Sequence, residues 1–536
     1  MESEALNQKG GRVYADILET LTSGLYNKIE YAVREYLQNG YDAIKEAKKL
    51  GIPEPEDGFL VKVSISANSK DLLIFDNGVG MSLDLLKRYT SIGGGSKNRI
   101  DFTGHKGIGK LSGLRFFDKF VVRTKQAGNT KCHELVWDSG DMLSTLSQQK
   151  EVVKQIEYHE FIEKYIAYNE YDGFDVSDHF TQIQLLDVMD DFSDHLTLEY
   201  VGNFIKRNCP VPFYESNFEY SKKLTEFITP DMDFYDTTIN DRIIYQYYND
   251  VHGLVEPITK IIKYDSQDRA KVWFSWIKDE AGNIEDSEIR GIRFREKGIC
   301  VGTADIFHNH CMQRPFDAWF TGEIIVLDNN ITPNSARDGF IQGHDLNKFF
   351  KSLQEQVGKE LSRIADIRSE INTARNDIKK INANIENSKP VTKADIEGLA
   401  KRRKSISRYA NEHKSLPVDY NVIKEIDNLI QGLEKKDEKK LDDVVKNLDY
   451  TETNAEELIG ILLKSKEGEL KSPTKAGCAK EKEICYKATE ELVKRISKQP
   501  TQQQIVVKIV TAILNKYNIT VNENDIVTLY ENELSV

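Results

Sequence analysis

The chain has 536 residues, 39% of them hydrophobic and 30% charged, with a formal net charge of −13 at neutral pH. That length accommodates about two to four domains with sizeable cores, and the acidic balance excludes a protein whose whole surface is a nucleic-acid footprint. No apolar run approaches the ~18 residues of a membrane span, and the polar Met1–Gly11 stretch has no signal-peptide pattern. Six scattered cysteines suit a reducing compartment, so a cytoplasmic location without membrane contact is expected.

In chain order, Ile29, Val33, Leu37, Tyr41 and Ile44 recur at three- and four-residue steps and predict an amphipathic helix. Glu35, Asn39 and Asp42 share another of its faces. A carboxylate and a carboxamide one turn apart can together hold a water and a hard cation. Magnesium takes oxygen ligands, and the Asn39 carbonyl with triphosphate oxygens would suit it. A solvated polar face has the same spacing.

Phe59–Ala67 alternates, and Asp71–Phe75 is a second apolar run that ends at Asp76; both predict strands. A carboxylate at a strand end can accept a hydrogen bond from an exocyclic amine. In Asp76-Asn77-Gly78-Val79-Gly80-Met81 the glycines would let the backbone approach a flat base. An ordinary Asp-Asn-Gly turn is the alternative.

Gly104-His-Lys106-Gly107-Ile108-Gly109-Lys110 nearly completes a P-loop, but position 111 is Leu where that loop requires Ser or Thr. The preceding Asn98–Thr103 is polar, not the buried strand a P-loop follows. The glycines instead open a helix expected from about Ile108 to Phe117, whose free amides would face phosphates.

Together, in this order between Glu35 and Lys110, the three segments resemble the boxes of the GHKL ATPases: gyrase, heat-shock chaperone, histidine kinase and MutL. A fourth element, Phe180-Thr181-Gln-Ile183-Gln-Leu185, resembles the family's Gly-Thr-x-Ile strand, with Phe180 where the family has Gly. Ser91–Lys97 resembles the ATP lid of the chaperone and MORC branches.

The resemblance implies ATP and Mg2+ as cofactors, Glu35 as general base, Asn39 as magnesium ligand and Asp76 as adenine acceptor, supported by Thr181 through a water. The nucleotide-binding set it implies is Asn39, Asp42, Asp76, Gly78, Gly80, Met81, Ser96, Lys97, Gly104, Lys106, Gly107, Ile108, Gly109, Lys110 and Thr181. Further on, Asn329–Asp338 resembles the chaperone's middle-domain loop, whose arginine reaches the γ-phosphate; Arg337 is the matching residue. A turn arginine paired with Asp338 is the alternative.

The fold class expected is α+β: a Bergerat-type α/β sandwich ATPase over 1–215, a transducer-like α+β domain over 216–345, and a helical, partly coiled-coil effector region over 346–536. An acidic and aromatic insertion is expected near 140–178. Strand-like runs at Lys271–Lys278, Gly291–Phe294 and Glu323–Leu327 build the second domain. Leu346–Glu386 and Ala394–Glu412 flank Ser388-Lys-Pro390 and predict a helical hairpin. Leu353, Val357, Leu361, Ile364, Ile367 and Ile371 form an apolar seam for a companion helix or for packing within the chain.

The expected activity is magnesium-dependent ATP hydrolysis that drives lid closure and homodimerisation around a macromolecular partner, DNA or protein, in genome maintenance or defence. A chaperone-like ATPase acting on protein clients and a non-catalytic ATP-sensing scaffold are the alternatives. A histidine kinase needs a phosphoacceptor before the ATP domain, and the first histidine here is His105. For DNA the candidate surface is 371–416, where eleven Lys/Arg face five Asp/Glu around Lys401-Arg402-Arg403-Lys404. A solvated helical face accounts for that run equally simply.

Overall fold

The computed structural model describes residues 13–19, 28–68, 70–91, 109–229, 231–278, 282–312, 316–413 and 418–433. Helix α1 (Ile29–Lys49) carries the predicted apolar stripe: Ile29, Val33, Leu37, Tyr41 and Ile44 are all buried. Acidic Glu30 in the first turn and Lys48 and Lys49 in the last complement the helix dipole. The stripe covers one face of an eight-stranded sheet, where each fully buried aliphatic side chain contributes about 1.5–3 kcal/mol.

The sheet comprises β1 (Leu60–Ile65), β2 (Leu72–Asp76), β3 (Phe117–Lys125), β4 (Cys132–Asp138), β5 (Ile166–Tyr171) and β6 (Phe180–Val188). Helix α2 (Leu198–Asn208) precedes its last two strands, β7 (Asp236–Ile239) and β8 (Arg242–Ile243). The spatial order is β5-β4-β3-β6-β2-β1-β7-β8, antiparallel except for the β1–β7 pair. The 140–178 stretch contributes helix Ser139–Gln148 and the edge strand β5, so it extends the sheet.

Two expectations are corrected here. The helix expected from Ile108 to Phe117 is a 3-10 segment over Gly109–Arg115, and Phe117 already opens β3. Gly113 lets this segment pack on α1: a Cβ there would fall 2.6 Å from the Tyr36 hydroxyl. The first sheet also does not end at residue 215, because β7 and β8 pair onto it through β1. Tyr235 stacks on Tyr41 at 4.7 Å, and the Thr237 and Tyr41 hydroxyls lie 3.0 Å apart.

A second sheet follows: β9 (Ile258–Tyr264), β10 (Gln267–Ser275), β11 (Gly291–Glu296), β12 (Ile299–Val301) and β13 (Thr321–Val326), in the order β12-β11-β13-β10-β9. Each of its three predicted runs overlaps a strand, with Lys271–Lys278 running past the end of β10 and Glu323–Leu327 past the end of β13. A buried ion pair within this sheet, Arg295 on β11 to Glu323 on β13 at 2.7 Å, sits beside the end of α2. The same guanidinium donates to the carbonyls of Arg207 (3.1 Å) and Cys209 (3.2 Å). Burying two charges is tolerated because they are paired and hydrogen-bonded.

Helix α3 (His344–Leu353) runs through a π turn, Gln354–Gly358, into α4 (Lys359–Glu386). Gly358 is required at the turn: a Cβ would fall 1.9 Å from the Cys311 carbonyl. Leu353, Val357, Leu361, Ile364 and Ile367 are buried within the chain itself, which covers the seam without a companion helix.

The chain divides into two compact units, Met1–Ser369 and Glu370–Val536. In the second, α5 (Lys393–Glu412) starts at a Thr392–Asp395 capping box. Two of its four clustered basic residues are engaged: Arg402 meets Asp377 (2.9 Å) and Glu370 (3.2 Å), and Arg403 meets Asp427. Lys401 and Lys404 are exposed. No described helix is long and apolar enough to cross a membrane.

Candidate functional site

The site is built where α1, the end of β2 and the 3-10 segment meet. Gly40, in mid-helix, costs about 1 kcal/mol against Ala. A Cβ there would lie 3.1 Å from the Asp76 Cβ, so the glycine lets α1 settle onto the strand end. On the adjacent face Glu35 is only 13% exposed, and Asn39 is half-buried one turn on. Gly109 packs against this carboxylate; a Cβ would sit 2.0 Å from Glu35 Oε2. The first and third sequence boxes are therefore in direct contact.

Tyr36 secures that junction. Its hydroxyl accepts from the Gly113 amide at 2.7 Å and donates to the Lys110 carbonyl at 3.4 Å. Burial drives its own ionisation well above the usual tyrosine range. Lys110 donates to the Arg88 carbonyl. Burial first, then the Arg88 charge, lowers its ammonium to about 8.

Asp76 closes β2 and is buried, accepting from the Gly78 amide at 3.0 Å. The two glycines after it approach protein backbone closely. At Gly78 a Cβ would strike Ala43 (2.5 Å), and at Gly80, with φ +68, it would strike the Lys125 carbonyl (2.0 Å). This fixes the loop between α1 and β3. Asn77 stitches the loop to β1, accepting from Leu60 and donating to Gly58, each at 2.8 Å. His179 Nδ1 donates to the Gly78 carbonyl at 2.7 Å.

Thr181 stands opposite Asp76 on β6. Phe180, in the family's glycine position, stacks on Phe75 at 5.8 Å. The Met81 amide donates to Thr124 Oγ1 at 2.9 Å. Asp42 lines a cavity of about 70 Å³ with Gln38, Lys45, Asp233, Tyr235 and Lys297. Ser96, Lys97, Gly104, Lys106, Gly107 and Ile108 lie outside the described residues.

Arg337 is buried in the left-handed region (φ 54), and its partner is Glu296 at 2.9 Å, not Asp338. Asp338 instead accepts from Asn334. The arginine loop is anchored beside Glu35, because Arg34 Nη2 donates to the Ala336 carbonyl at 3.0 Å. The same nitrogen lies 3.5 Å from Glu35 Oε1.

Arg34, Tyr36, Thr124 and Glu296 escaped the sequence reading. Thr124 looks like any strand threonine, and Glu296 matches no box. Arg34 gives one signal, a charged side chain next to the candidate base on a helix otherwise packed into the core.

The family described as histidine kinase-, DNA gyrase B-, and HSP90-like ATPase matches residues 26–166. The chain is 31% identical over 144 residues to Chaperone protein HtpG of Acinetobacter baylyi, covering 24% of this chain and 22% of that protein. Against Chaperone protein HtpG of Francisella tularensis subsp. novicida it is 21% identical over 385 residues, 65% of this chain and 56% of the relative. For Chaperone protein HtpG of Fusobacterium nucleatum subsp. nucleatum the identity is 24% over 310 residues, 45% and 49% of the two chains. The chain thus spans at most about half the length of these curated relatives. The matched segment holds Glu35, Asp76 and Gly109 with the contacts described above, and over that segment the chain is similar to the GHKL ATPases, near their heat-shock chaperone branch.

Proposed function

We propose that this protein binds magnesium-ATP between α1, the β2 end and the 3-10 segment, and hydrolyses it. The observation that carries the reading is the convergence on one helix: Gly109 against Glu35 and Asp76 against Gly40, with the Arg337 loop tied to Arg34. Glu35 takes the proton of the attacking water, Asp76 accepts from the adenine amine, and Arg337 stabilises charge developing on the phosphate. Glu296 engages only Nη2 of Arg337, and Nη1, buried without a hydrogen-bond partner, is the donor left for phosphate.

The donor set fits a hard cation: the half-buried Asn39 offers a carboxamide oxygen on the Glu35 face, and Gly109 leaves no side chain between that face and the 3-10 segment. Magnesium, when bound, neutralises phosphate charge. Asn39 would hold it.

Hydrolysis serves a conformational cycle in which the lid, including Ser96, Lys97 and Lys106, closes and two copies associate around a partner. The relatives named as chaperone proteins favour a protein client. Engagement of Arg402 and Arg403 by carboxylates weakens the DNA alternative. Phosphate release by the purified full chain, with and without magnesium, tests the core of the reading. Absence of ATP binding in a calorimetric titration would overturn it.

A further inference from the structure

Three buried polar residues stand abreast on neighbouring strands: Thr124 on β3, Thr181 on β6 and Asp76 on β2, each directly opposite the next. Opposed residues share a face of the sheet, so the row presents one edge to the site. Thr124 is fully buried and belongs to none of the sequence boxes.

Its hydroxyl has three partners. The Phe180 carbonyl lies 2.9 Å away, the Met81 amide nitrogen 2.9 Å, and Thr181 Oγ1 3.1 Å. A hydroxyl owns one proton and can accept twice. The carbonyl can only accept, so the Thr124 proton goes to Phe180. The amide can only donate, so Met81 fills one lone pair. What remains is an acceptor, and the Thr181 proton is therefore spent on Thr124.

We infer that Thr124 is a positioning residue for base selection: by taking the Thr181 proton, it leaves Thr181 to meet the base as a hydrogen-bond acceptor only. The inference rests on the nucleotide reading above. A carboxylate is likewise acceptor-only, so Asp76 and Thr181 together present acceptors to the six-position edge of a purine. Adenine answers with an amine. Through one bridging water the polarity is the same, because a water donating to Thr181 keeps its second proton for the ring N1 acceptor. Hypoxanthine reverses both groups, with a carbonyl at position six and an N1–H. The row therefore selects the aminopurine, and Thr124 sets the sign of the selection.

Replacing Thr124 by Val removes the proton sink. Thr181 can then turn its hydroxyl toward the pocket and donate, which hypoxanthine would welcome. A merely structural loss would weaken both nucleotides together; loss of the polarity device changes their ratio.

The test is calorimetric titration of the full chain with non-hydrolysable ATP and ITP analogues. The parent should favour ATP by at least about tenfold, since a site that hydrogen-bonds a substrate group discriminates strongly against its reversal. Thr124→Val should narrow the ratio by about tenfold, the scale of one buried hydrogen bond, and Thr124→Ser should retain the parental ratio. If the valine variant does not fold, the Thr124→Ser and Thr124→Ala pair isolates the hydroxyl at near-equal volume. A Val or Ala variant that discriminates like the parent overturns the inference alone, and so does a Ser variant that loses the ratio. A parent that binds neither analogue overturns the nucleotide reading and this inference with it.

Discussion

Arg34 donates to the Ala336 carbonyl at 3.0 Å, across 302 residues of chain. The carbonyl belongs to the residue immediately before Arg337, and Arg34 is the residue immediately before Glu35. One hydrogen bond thus sets the register between the candidate base and the candidate phosphate-binding arginine.

The first prediction follows from that register. Arg34→Ala and Arg337→Ala should each slow ATP hydrolysis by about tenfold or more, the scale of a lost charge-assisted contact. Nucleotide affinity should change little. The two losses should be strongly non-additive, because residues in one network couple by about 0.5–3 kcal/mol. Arg34→Lys should rescue in part, since a single nitrogen, Nη2, meets both Glu35 and the Ala336 carbonyl and an ammonium has donors for both. Phosphate-release rates at saturating ATP for the parent, the two Ala variants, their double and Arg34→Lys measure this; simple additivity would dissolve the link.

The second separates binding from turnover on α1. Glu35→Ala should keep magnesium-ATP and hydrolyse it about a hundred to ten thousand times more slowly, as for a lost general base. Asn39→Ala should lose the nucleotide. Gly109→Ala should resemble Glu35→Ala, because the new methyl would sit 2.0 Å from Glu35 Oε2 and displace the carboxylate. Parental turnover in all three would remove the helix from the mechanism.

The third concerns the strand end. Asp76→Asn presents a donor where adenine's amine also donates, and an unsatisfied buried group costs roughly 1–3 kcal/mol, about ten- to a hundredfold in affinity. Calorimetry with a non-hydrolysable analogue reads this directly. Unchanged affinity would take Asp76 out of the base pocket.

Much of this arrangement was legible in sequence because it is local. The period of Ile29–Ile44 gave α1, alternation gave β1 and β6, an apolar run gave β2, and Glu35 meets Gly109 while Asp76 meets Gly40 on the same helix. What was not legible depends on partners distant in sequence. The pairing of β7 with β1 joins strands about as similar to many others, and nothing in Asp236–Ile239 names its neighbour. Arg337 was legible as a loop arginine, but its partner Glu296 comes from another strand. The seam from Leu353 to Ile367 has a period that fits either a companion or its own chain, and only the fold decides which surface covers it.

The fourth prediction uses Lys110. Its ammonium titrates near 8 in the folded chain, below the ordinary lysine value of 10.5, because burial penalises the charge. Below about pH 8 both folded and unfolded chains carry the proton, and the burial penalty is fully present. Between about 8 and 10.5 the unfolded chain binds more protons, so this group's contribution to stability improves as pH rises. Nucleotide binding should run the other way, because neutral Lys110 attracts phosphate less. ATP affinity should therefore fall through about pH 8, and Lys110→Met should flatten that limb. Titrations from pH 7 to 9 test it; an identical limb in the variant would assign the titration elsewhere.

The last prediction concerns where the ATP-binding unit ends. A chain stopped near residue 215 loses β7, the partner that covers the outer edge of β1. It also loses Tyr235, which stacks on Tyr41 at 4.7 Å, and Thr237, whose hydroxyl pairs with that of Tyr41 at 3.0 Å. Tyr41 lies on the buried stripe of α1, the helix that carries Glu35 and Asn39. Losing the aromatic pair and the buried hydroxyl bond together should cost about 2 kcal/mol, or about 4–8 °C in melting temperature for a domain of this size. Further loss comes from the exposed strand edge, which invites aggregation. A chain stopped at Ser369, the limit of the first compact unit, keeps all of these contacts together with Arg337. It should fold, bind ATP and hydrolyse it, whereas the shorter chain should melt lower and bind weakly. Circular-dichroism melts and calorimetry on the two chains provide the comparison, and equal melting and affinity would mean that β7 is dispensable to the nucleotide site.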